Sequence, residues 1–288
     1  MLNLSKLNSH FIQISGGGIA ALKSAVFDSN TAPTIIALHG WLDNAASFTP
    51  LINALPQFNW IAIDLPGHGH SFHRANNSYY HFIDWVSDVI EVIDALNLPQ
   101  PPIVVGHSLG GMLGTVLAGL YPDKISKLIL IDSAGLVIQN DANALVNIRA
   151  AMNSRLDLAH KKPRHHEDIN AAIKARQKAG GISLESAKIL VERNTELKDG
   201  GYRWRTDLRL RTGSPVRVNL TAAEQIIAAI EVETLIILAT DGYESMQTNY
   251  SKFQSFYRNH KMVEVSGNHH CHLDDPSETS QQIAEFLL

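Results

Sequence analysis

Short apolar runs alternate with amphipathic segments along the first 132 residues of the chain. Four of these runs have the length and composition of buried strands, namely TIIALH (34–39), NWIAIDL (59–65), PPIVV (101–105) and ISKLILID (125–132). The stretch YYHFIDWVSDVIEVIDALN carries apolar residues at helical spacing, and SLGGMLGTVLAGLYP predicts a second helix that ends at Pro122. Strands that alternate with helices indicate a parallel sheet with helices on both faces.

The same pattern continues towards both ends of the chain. HFIQIS and IAALKSAV flank Gly16, Gly17 and Gly18, which predicts an early hairpin. After residue 220, TLIILAT and KMVEVSG predict two strands, while TAAEQIIAAI, MQTNYSKFQSFYRN and PSETSQQIAEFLL predict three helices. Together these segments predict an α/β fold with a mostly parallel, eight-stranded sheet.

A long segment between Ser133 and Leu220 interrupts this alternation, and only helical and irregular patterns remain there. It holds 16 Lys and Arg against 9 Asp and Glu, whereas the rest of the chain holds 8 against 19. A basic segment inside an acidic chain indicates a separate lobe that faces a different kind of partner.

Composition excludes several classes of protein. The chain has 288 residues, a net charge of −4 and one cysteine, so no intrachain disulfide is possible. No apolar run approaches the roughly 20 residues that span a bilayer, and the start lacks the features of a signal peptide. A chain that is acidic overall and has no nucleic-acid-binding module does not suit a nucleic-acid partner. We therefore expect a soluble, cytoplasmic protein without a transmembrane segment.

The stretch VVGHSLGG places a serine between a predicted strand and a predicted helix. Gly106, Ser108 and Gly110 fit the pattern G-x-S-x-G, in which a sharp strand-to-helix turn exposes the serine hydroxyl. The glycines leave room for the strained backbone, and the helix that follows points its first N–H groups towards negative charge. This context predicts Ser108 as a nucleophile.

A serine hydroxyl needs a positioned base, and that base needs an acid to orient it. The last predicted strand is followed by SGNHHCHLDDP, which offers His269, His270 and His272 as bases. A histidine cluster is also typical of metal sites, but the other histidines have no matching ligand spacing, so we expect no metal. Asp132 and Asp241 compete as the acid because each stands at the end of a predicted strand.

An oxyanion hole needs two backbone N–H groups that point at the developing charge. One belongs to the residue after the nucleophile, Leu109. The other is expected from the turn after the first buried strand, where Gly40 permits a tight turn beneath Trp41. We therefore predict an oxyanion hole made of the Trp41 and Leu109 N–H groups.

These motifs together resemble the α/β-hydrolase fold over the whole body of the chain. The resemblance is carried by HGWLDNAASFTPL, DLPGHGHS, GHSLGG, PDKISKLILID and GNHHCHLDDP; several of these, with GYRWRTDLRL, are similar to serine hydrolase-like proteins within that superfamily. The basic segment falls where this family carries a helical cap. The resemblance thus implies a core domain of residues 1–133 and 221–288, and a helical cap of residues 134–220 inserted after the sixth strand.

The resemblance also selects the base. Members of the family commonly end in G-H-x-x-x-x-E-x-P, with the catalytic histidine seven residues before the proline. Counting back from Pro276 gives His269, with Asp274 at the acidic position. His270 is then a neighbour of the base, as is His272, and Cys271 is a small buried residue rather than a nucleophile.

The choice of acid stays open at this point. In the family the strand before the acid usually ends in G-x-x-D, but here Asp241 comes one residue early and Gly242 occupies the expected place. Some members carry the acid after the preceding strand, where Asp132 lies. We favour Asp241 and keep Asp132 as the alternative.

The resemblance implies a serine hydrolase that needs no cofactor and cleaves a carboxylester or thioester of a small molecule through an acyl-enzyme. A serine at position 108 argues against relatives that use aspartate there, such as haloalkane dehalogenases and epoxide hydrolases. The alternatives are a weakly catalytic, receptor-like ligand-binding protein and a carbon–carbon bond hydrolase. The basic cap either pairs its arginines with the acidic core, which we favour, or selects an anionic substrate.

Overall fold

An eight-stranded sheet forms the centre of the computed structural model, which describes residues 7–24, 27–28, 30, 32–139, 141–161 and 165–288. The strands of the described residues are β1 (Leu7–Ile14), β2 (Gly17–Ser24), β3 (Thr34–Leu38), β4 (Asn59–Ile63), β5 (Ile103–His107), β6 (Lys127–Ile131), β7 (His165–His166), β8 (Thr195–Lys198), β9 (Gly201–Trp204), β10 (Glu233–Asp241) and β11 (His260–Asn268). The central sheet has the order β1-β2-β4-β3-β5-β6-β10-β11. Strand β2 is antiparallel to both of its neighbours, and the other neighbouring pairs are parallel. The predicted sheet is confirmed.

Helices cover both faces of this sheet. The helices of the described residues, including those of the inserted segment, are α1 (Thr49–Ala54), α2 (Phe82–Leu96), α3 (Leu109–Leu120), α4 (Ala144–Leu156), α5 (Ile169–Gly180), α6 (Leu184–Asn194), α7 (Leu220–Ala228), α8 (Glu244–Phe253), α9 (Cys271–Asp274) and α10 (Ser277–Leu287). Within the described ranges, no helix has both the length and the apolar character needed to cross a lipid bilayer.

Alternation along each buried strand divides the apolar residues between two cores. In β3, Ile36 and Leu38 belong to one core together with residues of α2, α3 and α7. Ile35 and Ala37 belong to the other core, with residues of α1, α6 and α10. All five residues of β3 are buried, because successive side chains point to opposite faces and both faces are covered.

The segment between β6 and α7 is not entirely helical, so the prediction of a purely helical cap is wrong in this respect. Besides α4, α5 and α6 it contains a small antiparallel sheet of order β7-β9-β8. Asp199 and Gly200 form the two-residue loop between β8 and β9, with φ of 53° and 79°. An Asp-Gly pair with both residues in the left-handed region is typical of a type I′ hairpin, and this signal was present in the sequence. Throughout, the name cap refers to residues 134–220.

Two buried ion pairs join the cap to the central sheet. Arg193 of α6 places its Nε 3.0 Å and 3.1 Å from the two carboxylate oxygens of Asp64, which follows β4 and is fully buried. Arg176 of α5 contacts the buried carboxylate of Asp43 at 2.5 Å. These cations of the cap therefore neutralise aspartates that the core has removed from water.

We predict that Arg193→Met lowers the free energy of unfolding by about 3 kcal/mol, because Asp64 would be left as an uncompensated buried charge. The matched control is Lys124→Met, which removes an exposed ion pair to Asp94 and is expected to cost less than about 1 kcal/mol. Urea unfolding of both variants and the wild type measures the difference. Equal losses in the two variants would contradict a structural role for the Arg193–Asp64 pair.

Candidate active site

Ser108 stands at a strained turn between β5 and α3. Its backbone has φ of 50° and ψ of −115°, a region that residues with a side chain rarely adopt. The Ser108 N–H donates to the Ile131 carbonyl at 3.2 Å, and its carbonyl accepts from the Gly111 N–H at 3.0 Å and from the Ser133 hydroxyl at 2.9 Å. Surrounding bonds thus hold a conformation that the chain would otherwise avoid.

The glycines of this turn are required by close backbone contacts. A Cβ at Gly106 would lie 2.4 Å from the Gly110 carbonyl oxygen, and a Cβ at Gly110 would lie 2.0 Å from the Leu38 carbonyl oxygen. Both distances are far below a van der Waals contact, so β3, β5 and α3 can approach this closely only at glycine. The G-x-S-x-G pattern is therefore explained by packing as well as by strain.

His269 follows β11 and is held in one orientation. Its Nδ1 lies 2.5 Å from Asp132 Oδ2, and its ring stacks on Tyr243 with centroids 3.9 Å apart. The His107 Nε2 bonds to the His269 carbonyl at 2.8 Å, and because His107 precedes Ser108 this bond joins the two loops. Among the described residues, no hydrogen bond links the Ser108 hydroxyl to the His269 ring; such bonds often tighten only when substrate is bound.

The structure places the carboxylate of Asp132 against His269, and not that of the favoured Asp241. Asp132 is buried and also accepts from the Ala239 N–H at 3.1 Å, whereas Asp241 is exposed at the end of β10. Gly242 explains the difference, because a Cβ there would lie 2.5 Å from Asp132 Oδ1. The glycine at the expected place of the acid leaves space for the carboxylate of the neighbouring strand.

Trp41 and Leu109 are the residues whose N–H groups the sequence predicts as oxyanion donors. Both line the same cavity as Ser108, and within the described part of the chain neither backbone N–H donates a hydrogen bond. The turn that carries Trp41 is fixed by the next residue, because the Leu42 N–H donates to His68 Nε2 at 3.2 Å. Their role as oxyanion donors stays a prediction.

A buried cluster of ionisable groups lies beside these residues. Asp43 contacts His270 Nε2 at 3.3 Å as well as Arg176. Burial alone would raise the pKa of Asp43, but His270 and Arg176 hold it well below its usual range. Burial lowers the pKa of His272 to about 3, so this ring is neutral at pH 7. Across the described residues, no group of three or more His, Cys, Asp or Glu side chains could hold a metal ion.

Cys271 stands within the same stretch of chain as these histidines. It is buried, and burial raises the pKa of its thiol to about 11. A thiol in this state is almost fully protonated at neutral pH and is a poor nucleophile.

An apolar cavity of about 410 Å³ opens at Ser108, between α2, α3 and the cap. Ser108, Leu109 and Trp41 line it together with Tyr80, Phe82, Trp85, Met112, Leu136, Val137, Leu210, Thr212, Ser214, Arg217 and Val218. The sequence did not identify this wall, because its residues come from distant parts of the chain. A cavity of this size with few polar groups is typical of a small-molecule site.

Known proteins share this architecture. Residues 33–276 match the family described as the alpha/beta hydrolase fold. The chain belongs to the α/β-hydrolase family. This α/β hydrolase is 30% identical over 294 residues to serine hydrolase-like protein 2 of Homo sapiens, covering 96% of the chain and 92% of the relative. It is 29% identical over 277 residues to a serine hydrolase-like protein of Danio rerio, covering 92% and 85%.

Solved structures agree with these relatives. A hypothetical protein from Pseudomonas aeruginosa PAO1 is 32% identical, with a TM-score of 0.87 over 97% of each chain. The thioesterase domain from the curacin biosynthetic pathway is 25% identical, with a TM-score of 0.83 over 97% of this α/β hydrolase and 99% of the domain. The names of these relatives and neighbours support hydrolase activity.

We predict that Gly110→Ala lowers the free energy of unfolding by about 3 kcal/mol, because its Cβ would collide with the fixed Leu38 carbonyl. Gly18→Ala is the matched control, since a Cβ there meets Phe11 at an ordinary 3.5 Å. That control is expected to change stability by less than about 1 kcal/mol. Urea unfolding checks both, and a Gly110→Ala variant as stable as the wild type would contradict the close packing of the turn.

Proposed function

We propose that this α/β hydrolase is a serine hydrolase that cleaves carboxylester or thioester bonds of small molecules. Its triad is Ser108, His269 and Asp132. The observation that carries the proposal is the 2.5 Å contact of Asp132 with His269 Nδ1, beside a half-buried serine that opens into an apolar cavity. Similarity to serine hydrolase-like proteins and to a thioesterase domain supports the same class of reaction.

The first half of the reaction transfers the acyl group to the enzyme. The Ser108 oxygen attacks the carbonyl carbon while His269 Nε2 accepts the hydroxyl proton. Asp132 keeps the other ring nitrogen protonated and stabilises the imidazolium that forms. The oxyanion accepts hydrogen bonds from the Trp41 and Leu109 N–H groups, each of which contributes on the order of 3 kcal/mol. His269 then returns its proton to the leaving alcohol or thiol as the carbon–heteroatom bond breaks.

The second half returns the enzyme to its starting state. His269 removes a proton from water, and the hydroxide attacks the acyl carbon of the Ser108 ester. Collapse of the second tetrahedral intermediate breaks the bond to the Ser108 oxygen, which recovers its proton from the imidazolium. The products are a carboxylic acid and the alcohol or thiol, and no cofactor takes part in any step.

The alternative of a weakly catalytic ligand-binding protein has lost its main support. The early position of Asp241 was the reason to consider that hypothesis, and the 2.5 Å contact of Asp132 with His269 supports a complete triad instead. A carbon–carbon bond hydrolase would use the same triad, so parallel assays with p-nitrophenyl esters and with diketones distinguish the two substrate classes.

We predict that a fluorophosphonate probe labels the wild type covalently at Ser108, because an activated serine attacks phosphorus as it attacks a carbonyl. Ser108→Ala should abolish labelling and p-nitrophenyl ester hydrolysis, whereas Ser251→Ala, a change at an exposed serine of α8, should alter neither. Mass spectrometry of the labelled peptide is the measurement. Labelling that persists in Ser108→Ala would exclude Ser108 as the nucleophile.

We predict that Asp132→Asn lowers kcat for p-nitrophenyl esters by roughly a thousandfold or more, because His269 would lose both its fixed tautomer and its counter-charge. Asp241→Asn is the matched control and should change kcat less than about twofold, since an exposed carboxylate away from the base contributes little. Steady-state kinetics of both variants provides the measurement. Comparable losses in the two variants would overturn the assignment of Asp132.

A further inference from the structure

The cavity at Ser108 carries one charged side chain in its wall, and that side chain is a cation. Arg217 lies in the loop that precedes α7, and no carboxylate is present among the described residues that line the cavity. The backbone fixes this loop, because the Gln139 N–H donates to the Val218 carbonyl at 2.7 Å. The backbone next to Arg217 is thus tied down, and its exposed side chain borders a mainly apolar space.

Four arginines of the cap pair with carboxylates. Arg176 and Arg193 pair with buried aspartates of the core, while Arg203 pairs with Glu196 and Arg209 with Asp207 inside the cap. Arg217 differs from this group, since it makes neither a hydrogen bond nor an ion pair with any of the described residues. An exposed guanidinium without a carboxylate partner remains available to an anion.

The remaining polar groups of the wall are occupied. The Trp41 and Trp85 indole N–H groups donate to the carbonyls of Leu210 and Pro66, and the Tyr80 hydroxyl donates to Asp207. The hydroxyls of Thr212 and Ser214 donate to carbonyl oxygens at 2.7 Å and 2.6 Å. Of the side-chain donors on described lining residues, two are therefore left for a ligand, the Ser108 hydroxyl and the Arg217 guanidinium.

From this arrangement we propose that the substrate is an apolar ester or thioester that carries an anionic group away from its reacting carbonyl, and that Arg217 binds this group. The inference rests on the proposed function and adds the substrate class. The apolar wall receives the chain or ring between the two ends, because its own polar atoms are satisfied and offer that part no further hydrogen bonds. A second charged group on the substrate would find no charged partner among the described residues that line the cavity.

The test compares matched pairs of substrates that differ only in charge. Mono-4-nitrophenyl esters of succinic, adipic and suberic acid carry a free carboxylate, and their methyl-capped forms are neutral. A second pair places the carboxylate on the leaving group, as hexanoyl esters of 4-hydroxybenzoic acid and of its methyl ester. The measured quantity is the ratio of kcat/KM for the anionic member to that for the neutral member.

We expect this ratio to fall by about two- to fivefold in Arg217→Gln for at least one pair, because an exposed ion pair is lost. Arg217→Lys should restore part of the ratio, and added salt should lower the ratio of the wild type. Arg258→Gln removes an equal charge just before β11, at the opposite end of this strand from His269, and should leave the ratio unchanged. Equal ratios in the wild type and Arg217→Gln for every pair would overturn the proposal.

Failure of the hydrolase proposal gives a different result. In that case neither member of any pair is cleaved and the fluorophosphonate does not label Ser108. Titration calorimetry with octanoate then examines the anion site separately, with weaker binding expected in Arg217→Gln than in Arg258→Gln. The same affinity in both variants would overturn the role of Arg217 independently of catalysis.

Discussion

The hydrogen bond between the Asp132 carboxylate and the His269 ring draws together the ends of three strands. Asp132 follows β6, its carboxylate accepts the N–H of Ala239 in β10, and His269 follows β11. The His107 ring then joins this group to the turn that carries the candidate nucleophile. The site therefore forms only when β5, β6, β10 and β11 are in register, so the chemistry depends directly on the topology of the sheet.

The positive charge of the cap and the negative charge of the core meet in ion pairs that hold the two together. The core buries Asp43 and Asp64 close to the candidate site, and α5 and α6 supply the arginines that balance them. The basic composition of the cap thus reflects, in part, ion pairs that hold it against the sheet. Among the described residues that line the cavity at Ser108, the charge comes from Arg217 in the loop before α7.

Much of the fold could be predicted from the sequence, because each buried strand is a short apolar run and each covering helix has apolar residues at regular spacing. The elbow was also predictable, since the glycines around Ser108 are required by local backbone contacts. The choice between Asp132 and Asp241 could not be predicted, because both stand at the ends of strands. The packing of Gly242 against the Asp132 carboxylate distinguishes the two positions, and it is visible only in the structure. The lining of the cavity could not be predicted either, because its residues come from distant parts of the chain.

Trp41 connects the turn beside Ser108 to the cap, through its backbone on one side and its indole ring on the other. Its amide belongs to the turn beside Ser108, while its indole Nε1 donates to the Leu210 carbonyl of the cap at 3.0 Å. A displacement of the cap would consequently pull on the very peptide unit proposed to stabilise the reacting oxygen. On the proposed oxyanion role of the Trp41 amide, changes in the cap would therefore reach turnover as well as affinity.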